Sequence, residues 1–181
     1  NDVETKIQMF TNNLILDDYG NVSYVKLKNL LPTLIITGEL PPSKGDKRTV
    51  SCSYEDVKNT EYNFDYEGCT IDIQGTSSIY YPRKNWKIKL PEKIKFHKDA
   101  IEEDTFCFKT DYMETSHSHN IGTAILANSL PKELFPTRQE NELVRDTMYG
   151  FPCVIFHREK MEDTPVFYGT FMFNNDKSNS D

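Results

Sequence analysis

Two short stretches of this chain concentrate the residue types that do chemistry. The first is Gly75-Thr76-Ser77-Ser78-Ile79-Tyr80-Tyr81-Pro82-Arg83-Lys84, followed at once by Asn85-Trp86-Lys87-Ile88-Lys89-Leu90. Glycine lets the backbone approach an oxyanion closely, and N–H and hydroxyl groups donate to it. Arg83, Lys84, Lys87 and Lys89 add positive charge, arginine as a planar fork and lysine as a point charge. Read as chemistry, Gly75-Thr76-Ser77-Ser78 cradles phosphate. Read as scaffold, the stretch is a hairpin whose hydroxyls satisfy their own backbone and whose lysines form a solvated face. It is no Walker sequence and opens no helix, which disfavours a P-loop NTPase.

The second stretch holds Asp111, Glu114, His117, His119 and Asn120 ahead of the best helical pattern in the chain. Asp111, Glu114 and Asn120 form a possible polar site, with carboxylates and an amide able to hold a metal or act as acid and base. The same residues serve equally to cap the helix and to favour its positive end. His117 and His119 alternate with serines, as on an exposed segment, and no cysteine lies near this close histidine pair to complete a zinc site. No GxSxG, HExxH or EF-hand loop is present.

These stretches need strands to hold them. Residues 69–74 and 85–90 alternate in the manner of half-buried strands, placing Lys87 and Lys89 on one face and Trp86, Ile88 and Leu90 on the other. Further strands are expected at 22–27, 34–38, 49–54, 105–110, 151–157 and 166–173, with polar, turn-prone connections at 39–48 and 56–66. The helix carries Ile121, Ala124, Ile125 and Asn128 on one face, with Leu126 and Leu130 beside it. Thr115 or Ser116 suits its N-cap, and Pro131 marks its end. The expected fold class is α+β, a mainly antiparallel sheet with one principal helix.

The length of 181 residues suits one domain, with residues 1–31 as a leading segment or arm and 32–181 as a β-rich domain. The 11 Phe and 10 Tyr supply the core area that a hydrophobic fraction of 37% otherwise lacks. A net charge of −7 disfavours a general nucleic-acid partner, for which a basic footprint is expected. No apolar run approaches the ~20 residues of a membrane span, and the N-terminus is no signal peptide. Cys52, Cys69, Cys107 and Cys153 show no CxxC spacing and read as reduced, buried small hydrophobes.

Three blocks resemble the spore-coat CotH kinase family and its phage and prophage relatives. The first is Gln74-Gly75-Thr76-Ser77-Ser78 with Tyr81-Pro82-Arg83-Lys84-Asn85-Trp86-Lys87-Ile88-Lys89-Leu90. The second runs from Phe106 through Asp111 to Asn120, and the third is Tyr168-Gly169-Thr170-Phe171-Met172-Phe173. The Gln form of the first block, and the Asn-Asn-Asp-Lys-Ser run after the last strand, look most like the phage-associated branch. The resemblance implies the small lobe of an atypical kinase. In it Lys87 contacts nucleotide phosphate, with Gly75, Thr76, Ser77, Ser78 and Arg83 beside it, and ATP and Mg are cofactors if the kinase reading holds. The family's catalytic aspartate, its Asn partner and a Trp-Asp-x-Asp element lie downstream of the third block. This chain has one Trp, Trp86, and stops at Asp181. Phosphoryl transfer needs metal and positioned base together, so the chain is expected to be a fragment without catalysis of its own.

Three functions are thus expected in order. The first is a CotH-like structural or binding module of a phage or prophage tail or surface protein, partnered by other virion or surface proteins, with no membrane segment and with oligomers possible. The second is the amino-terminal part of a CotH-type protein kinase. The third is a host-surface or carbohydrate-binding module using Tyr80, Tyr81, Trp86 and Tyr112 as stacking platforms.

Overall fold

The computed structural model describes residues 31–98, 100–113, 119–134 and 148–176. Seven strands form a closed barrel: β1 (Thr33–Thr37), β2 (Arg48–Glu55), β3 (Phe64–Gln74), β4 (Asn85–Ile94), β5 (Glu103–Lys109), β6 (Gly150–Arg158) and β7 (Val166–Asn175). Their order around the barrel is β1-β2-β3-β4-β5-β7-β6, and β6 closes on β1. The β1–β6 ladder is parallel and the other six are antiparallel. Among the described residues one α-helix, α1 (His119–Asn128), lies in the connection from β5 to β6. The expected mainly antiparallel sheet with a helix is seen. The fold is mainly β, with the sheet closed on itself by a parallel pair.

Alternation explains which side of each strand faces in. Trp86, Ile88 and Leu90 of β4 point inward, as do Cys69, Ile71 and Ile73 of β3 and Phe106 and Phe108 of β5. Phe173 of β7 is the centre of the aromatic packing. It stacks on Phe151 at 5.0 Å and on Phe106 at 5.1 Å, and meets Phe108 edge-on at 5.0 Å. Such pairs add about 0.5–1.5 kcal/mol each beyond their buried area.

The seam between β1 and β6 is fastened beyond its ladder. Gly38 N–H donates to the Arg158 carbonyl at 3.0 Å, and Arg158 Nε–H donates to Thr37 Oγ1 at 2.9 Å. His157 Nε2 lies 2.7 Å from the Gly38 carbonyl oxygen.

The ladders shift register at three places, β2–β3, β4–β5 and β6–β7. Val50 and Cys52 of β2 face Cys69 and Tyr66, so β3 carries one extra residue there, and Gly68 at φ +75° takes up the turn. In β7 the partners of Ile155 and Phe156 are Gly169 and Phe167, which leaves Tyr168 as the extra residue. Released from the ladder, Tyr168 lies against Trp86 (6.2 Å) and Phe171 (6.0 Å). The extension of β3 back to Phe64 corrects the expected polar excursion over 56–66. Phe64 and Tyr66 stack on one another at 5.6 Å and Phe64 stacks on Tyr54 at 5.2 Å. These ring contacts hold residues 64–66 in the sheet.

Helix α1 touches the barrel along a narrow strip. Ile121 and Ala124 are buried, whereas Ile125 and Leu126 are 61% and 66% exposed. Gly150 lies tight against β7 and the helix, because a Cβ there would run into the Phe173 carbonyl oxygen first and then meet Asn174 Cβ at 2.8 Å and Ile121 Cδ1 at 2.9 Å. Among the described residues no helix is long and apolar enough to cross a membrane. The four cysteines are free and buried, as expected, and burial pushes the Cys153 thiol up and that of Cys107 to about 11. The expected strand at 22–27 and the leading arm to residue 30 lie outside the described residues, as do Thr115 and Ser116.

Candidate functional site

The Gly75 loop connects β3 to β4 at one end of the barrel. Gly75 has φ +118°, and a Cβ on it would run into the Ser78 hydroxyl, so the position needs glycine. Residues Ser77–Tyr80 form a 3-10 turn, and Ser78 Oγ–H donates back to the Gln74 carbonyl at 3.3 Å. The loop's carbonyls are then taken by ammonium groups. Lys44 Nζ donates to the Gly75 oxygen at 2.5 Å, and Lys84 Nζ donates to Ile79 and Tyr81 oxygens at 2.7 and 2.6 Å. An anion cradle points N–H groups at its ligand. This loop offers carbonyl oxygens to cations, the opposite polarity. Thr76 and Ser77 are exposed at its rim.

The remaining basic residues are engaged within the chain. Arg83 Nη2–H donates to the Thr170 carbonyl at 3.1 Å, with its guanidinium 5.4 Å from the centre of the Phe171 ring. Lys87, on the outer face of β4, pairs with the enclosed carboxylate of Asp176. Lys89 lies 3.5 Å from Asp104, whose carboxyl is held below its usual range by the Thr105 hydroxyl and then by the Lys89 charge. Thus Gly75, Thr76, Ser77, Ser78, Arg83 and Lys87 do lie close along one β3–β4 connection. They do not converge as donors on one empty point.

The two sequence stretches meet around a different feature. Ser78 and Tyr81 from the loop, Asn85 from the head of β4, Thr110, Asp111 and Tyr112 beyond β5, and Asn120 on α1 line a cleft of about 290 Å³. The Asn85 carboxamide oxygen accepts from Thr110 N–H at 2.9 Å and from Thr110 Oγ1–H at 3.1 Å, tying β4 to the end of β5. Asp111 stands at φ +43°, a left-handed conformation that Asp tolerates better than most residues. Its Oδ1 accepts from Asn120 Nδ2–H at 2.8 Å, while Oδ2 is enclosed and accepts no hydrogen bond among the described residues. Tyr81 and Tyr112 stack at 5.5 Å across the cleft wall, their planes 25° apart.

Asp111 and Asn120 are therefore brought together, a contact that the polar-site and helix-capping readings share, and His119 joins the cleft lining. Glu114 and His117 lie outside the described residues. Trp86 is corrected: at 2% exposure it is a core residue and no stacking platform. Among the described residues, no three His, Cys, Asp or Glu side chains gather as a metal site. Sequence reading missed Lys44, Asn85 and Asp176. Asp176 left a trace in the Asn-Asn-Asp-Lys-Ser run, whereas Lys44 sits in a polar loop with no local hint of its reach.

A second cavity, of about 300 Å³, opens beside Pro32, Tyr62, Phe96, His97 and Tyr149 at the other barrel end. No family model matches the chain, and no curated protein matches its sequence.

Proposed function

We propose that this chain is a binding and structural module, CotH-like, of a phage or prophage tail or surface protein, and that it does not transfer phosphate by itself. The observation that carries this reading is the polarity of the Gly75 loop. Its Gly75, Ile79 and Tyr81 carbonyls are each occupied by a lysine ammonium, and Arg83 is spent on the Thr170 carbonyl. A nucleotide phosphate entering here would meet carbonyl oxygens and would have to break several charge-assisted hydrogen bonds, each worth about 1.5–3 kcal/mol. The partners are other virion or surface proteins, met through the walls and loops of a closed barrel.

A second reading, the amino-terminal part of a CotH-type kinase binding ATP and Mg, is favoured by the Lys87–Asp176 pair beside the hydroxyl loop. A lysine held by a carboxylate next to the phosphates is a working part of kinase sites. Titrating the labelled chain with ATP and Mg, and following the amides of residues 74–87, separates the two. The module reading expects no saturable response and no phosphate transfer to a generic protein acceptor. Saturable binding that Lys87→Ala abolishes would establish the kinase reading instead.

A further inference from the structure

We propose that the edge of β7 beyond the end of β5 docks an extended, acidic peptide strand of a partner protein, with one of its carboxylates in the cavity between Arg83 and Lys109. This gives the partner of the module proposed above a chemistry and rests on that reading. The edge follows from the register. The β5–β7 ladder stops at Lys109 opposite Met172, whereas β7 runs on to Val166, so residues 166–171 meet no strand on that side among the described residues. Val154, opposite Thr170, turns its N–H to the Pro32 carbonyl at 2.8 Å. Facing residues of an antiparallel pair turn their backbone groups either both toward each other or both away. Thr170 therefore points its N–H and carbonyl at the open side, and Arg83 Nη2–H meets that carbonyl there at 3.1 Å.

A cavity of about 260 Å³ stands where β5 stops, lined by Arg83, Lys109, Thr110, Thr170, Phe171 and Met172. None of these residues adjoins a segment outside the described residues. The volume lies below that of whole-ligand sites, which start at ~300 Å³, and suits one side chain. Strand addition works in this way, main-chain bonds giving affinity and a side-chain pocket giving specificity. Along the same edge Val166 and Phe167 are 62% and 41% exposed, an apolar border against which a partner strand can pack.

The lining charge selects the partner. Arg83 and Lys109 make no ion pair among the described residues, and no carboxylate lines the cavity. A guanidinium carries several N–H donors, so Arg83 can hold Thr170 and still take a carboxylate. The acids that follow β5 and β7 are engaged elsewhere, Asp111 with Asn120 and Asp176 with Lys87. A second copy of this chain would bring the same two cations to the shared edge, and the bulge at Tyr168 would interrupt a flat pairing. A nucleic acid would meet a chain of net charge −7. A short acidic strand satisfies both the edge and the cations.

The test titrates the ¹⁵N-labelled full chain with a blocked hexapeptide of alternating valine and glutamate. A valine–lysine counterpart, the glutamate peptide N-methylated at every residue, inorganic phosphate, and ATP with Mg run in parallel. The expected result is a saturable shift of the Lys109 and Phe167 to Met172 amides by the glutamate peptide, with slowed hydrogen exchange at the Thr170 amide. Lys109→Gln, on the outer wall, should weaken that peptide about threefold, the loss of one exposed ion pair. The inference is overturned if the glutamate peptide is silent, if the lysine or the N-methylated peptide binds equally well, or if Lys109→Gln leaves the affinity unchanged. It is equally overturned if phosphate alone moves these amides, or if raising the chain's own concentration does so. Silent peptides with silent ATP remove this inference only. An ATP response at residues 74–87 removes the non-catalytic module reading, whatever the peptides do.

Discussion

The Arg83 guanidinium occupies the space that a Cβ on Gly169 would need. Gly169 has φ +153° and follows the bulged Tyr168, so β7 keeps a hollow in which Arg83 lies over Phe171 and reaches the Thr170 carbonyl. Gly169→Ala should cost about 1–3 kcal/mol, from backbone strain together with the displaced guanidinium. In an Arg83→Ala background the same change should cost about 1 kcal/mol, since only the strain remains. Urea unfolding of the four proteins in the cycle measures the coupling, and strict additivity would dissolve the link between the two residues.

Tyr66 is expected to ionise late. Its hydroxyl donates to the Glu92 carboxylate, and that bond, with some burial and the Glu92 charge, pushes the phenol up to about 12 from an ordinary 10.0. The neutral phenol is the form the fold favours, so this contribution is complete below pH 10 and is lost as pH rises through about 12. Ring-labelled NMR resolves the site. Glu92→Gln should bring the Tyr66 midpoint back close to 10 (one unit or more), and an unchanged midpoint would count against the hydrogen bond.

Phe173 should be the costliest truncation in the barrel. Ring contacts at 5.0 to 5.1 Å converge on it from Phe96, Phe106, Phe108 and Phe151. Phe173→Ala is expected to lose about 3–5 kcal/mol, a large part of the 5–15 kcal/mol that typically holds a domain. Tyr80→Ala, at a residue 82% exposed, should stay within about 0.5 kcal/mol. Chemical denaturation of both variants gives the contrast directly.

Much of the wall was legible in the chain. Alternation at 85–90 set the inward residues of β4, and strands were placed at 69–74 and 105–110, since a period of two is a local signal. Closure was not legible, because it depends on Thr33–Thr37 meeting Val154 to Arg158, and pairing across that distance leaves no mark on either segment. The Gly75 loop was located with two readings, anion cradle and hairpin scaffold, and its residues alone did not choose between them. Lysines and hydroxyls side by side look like an anion site until the third dimension shows Lys44 and Lys84 turned onto carbonyls. The cleft lay half in view: Asp111 and Asn120 were named, while the Tyr81–Tyr112 stack joins residues 31 positions apart (112 − 81) and has no sequence signature.

The parallel seam also sets a timetable. Thr37 and Arg158 are 121 residues apart, so the ring cannot shut until nearly the whole barrel sequence has left the ribosome. Contacts of such range slow folding, because chain entropy is lost before they form. Through that interval β1 waits with one edge unpaired, a template on which another strand can add. Synthesis rate and chaperone cover should therefore govern the yield of this barrel more than its final stability does, and strand β6 is the latch that ends the exposure.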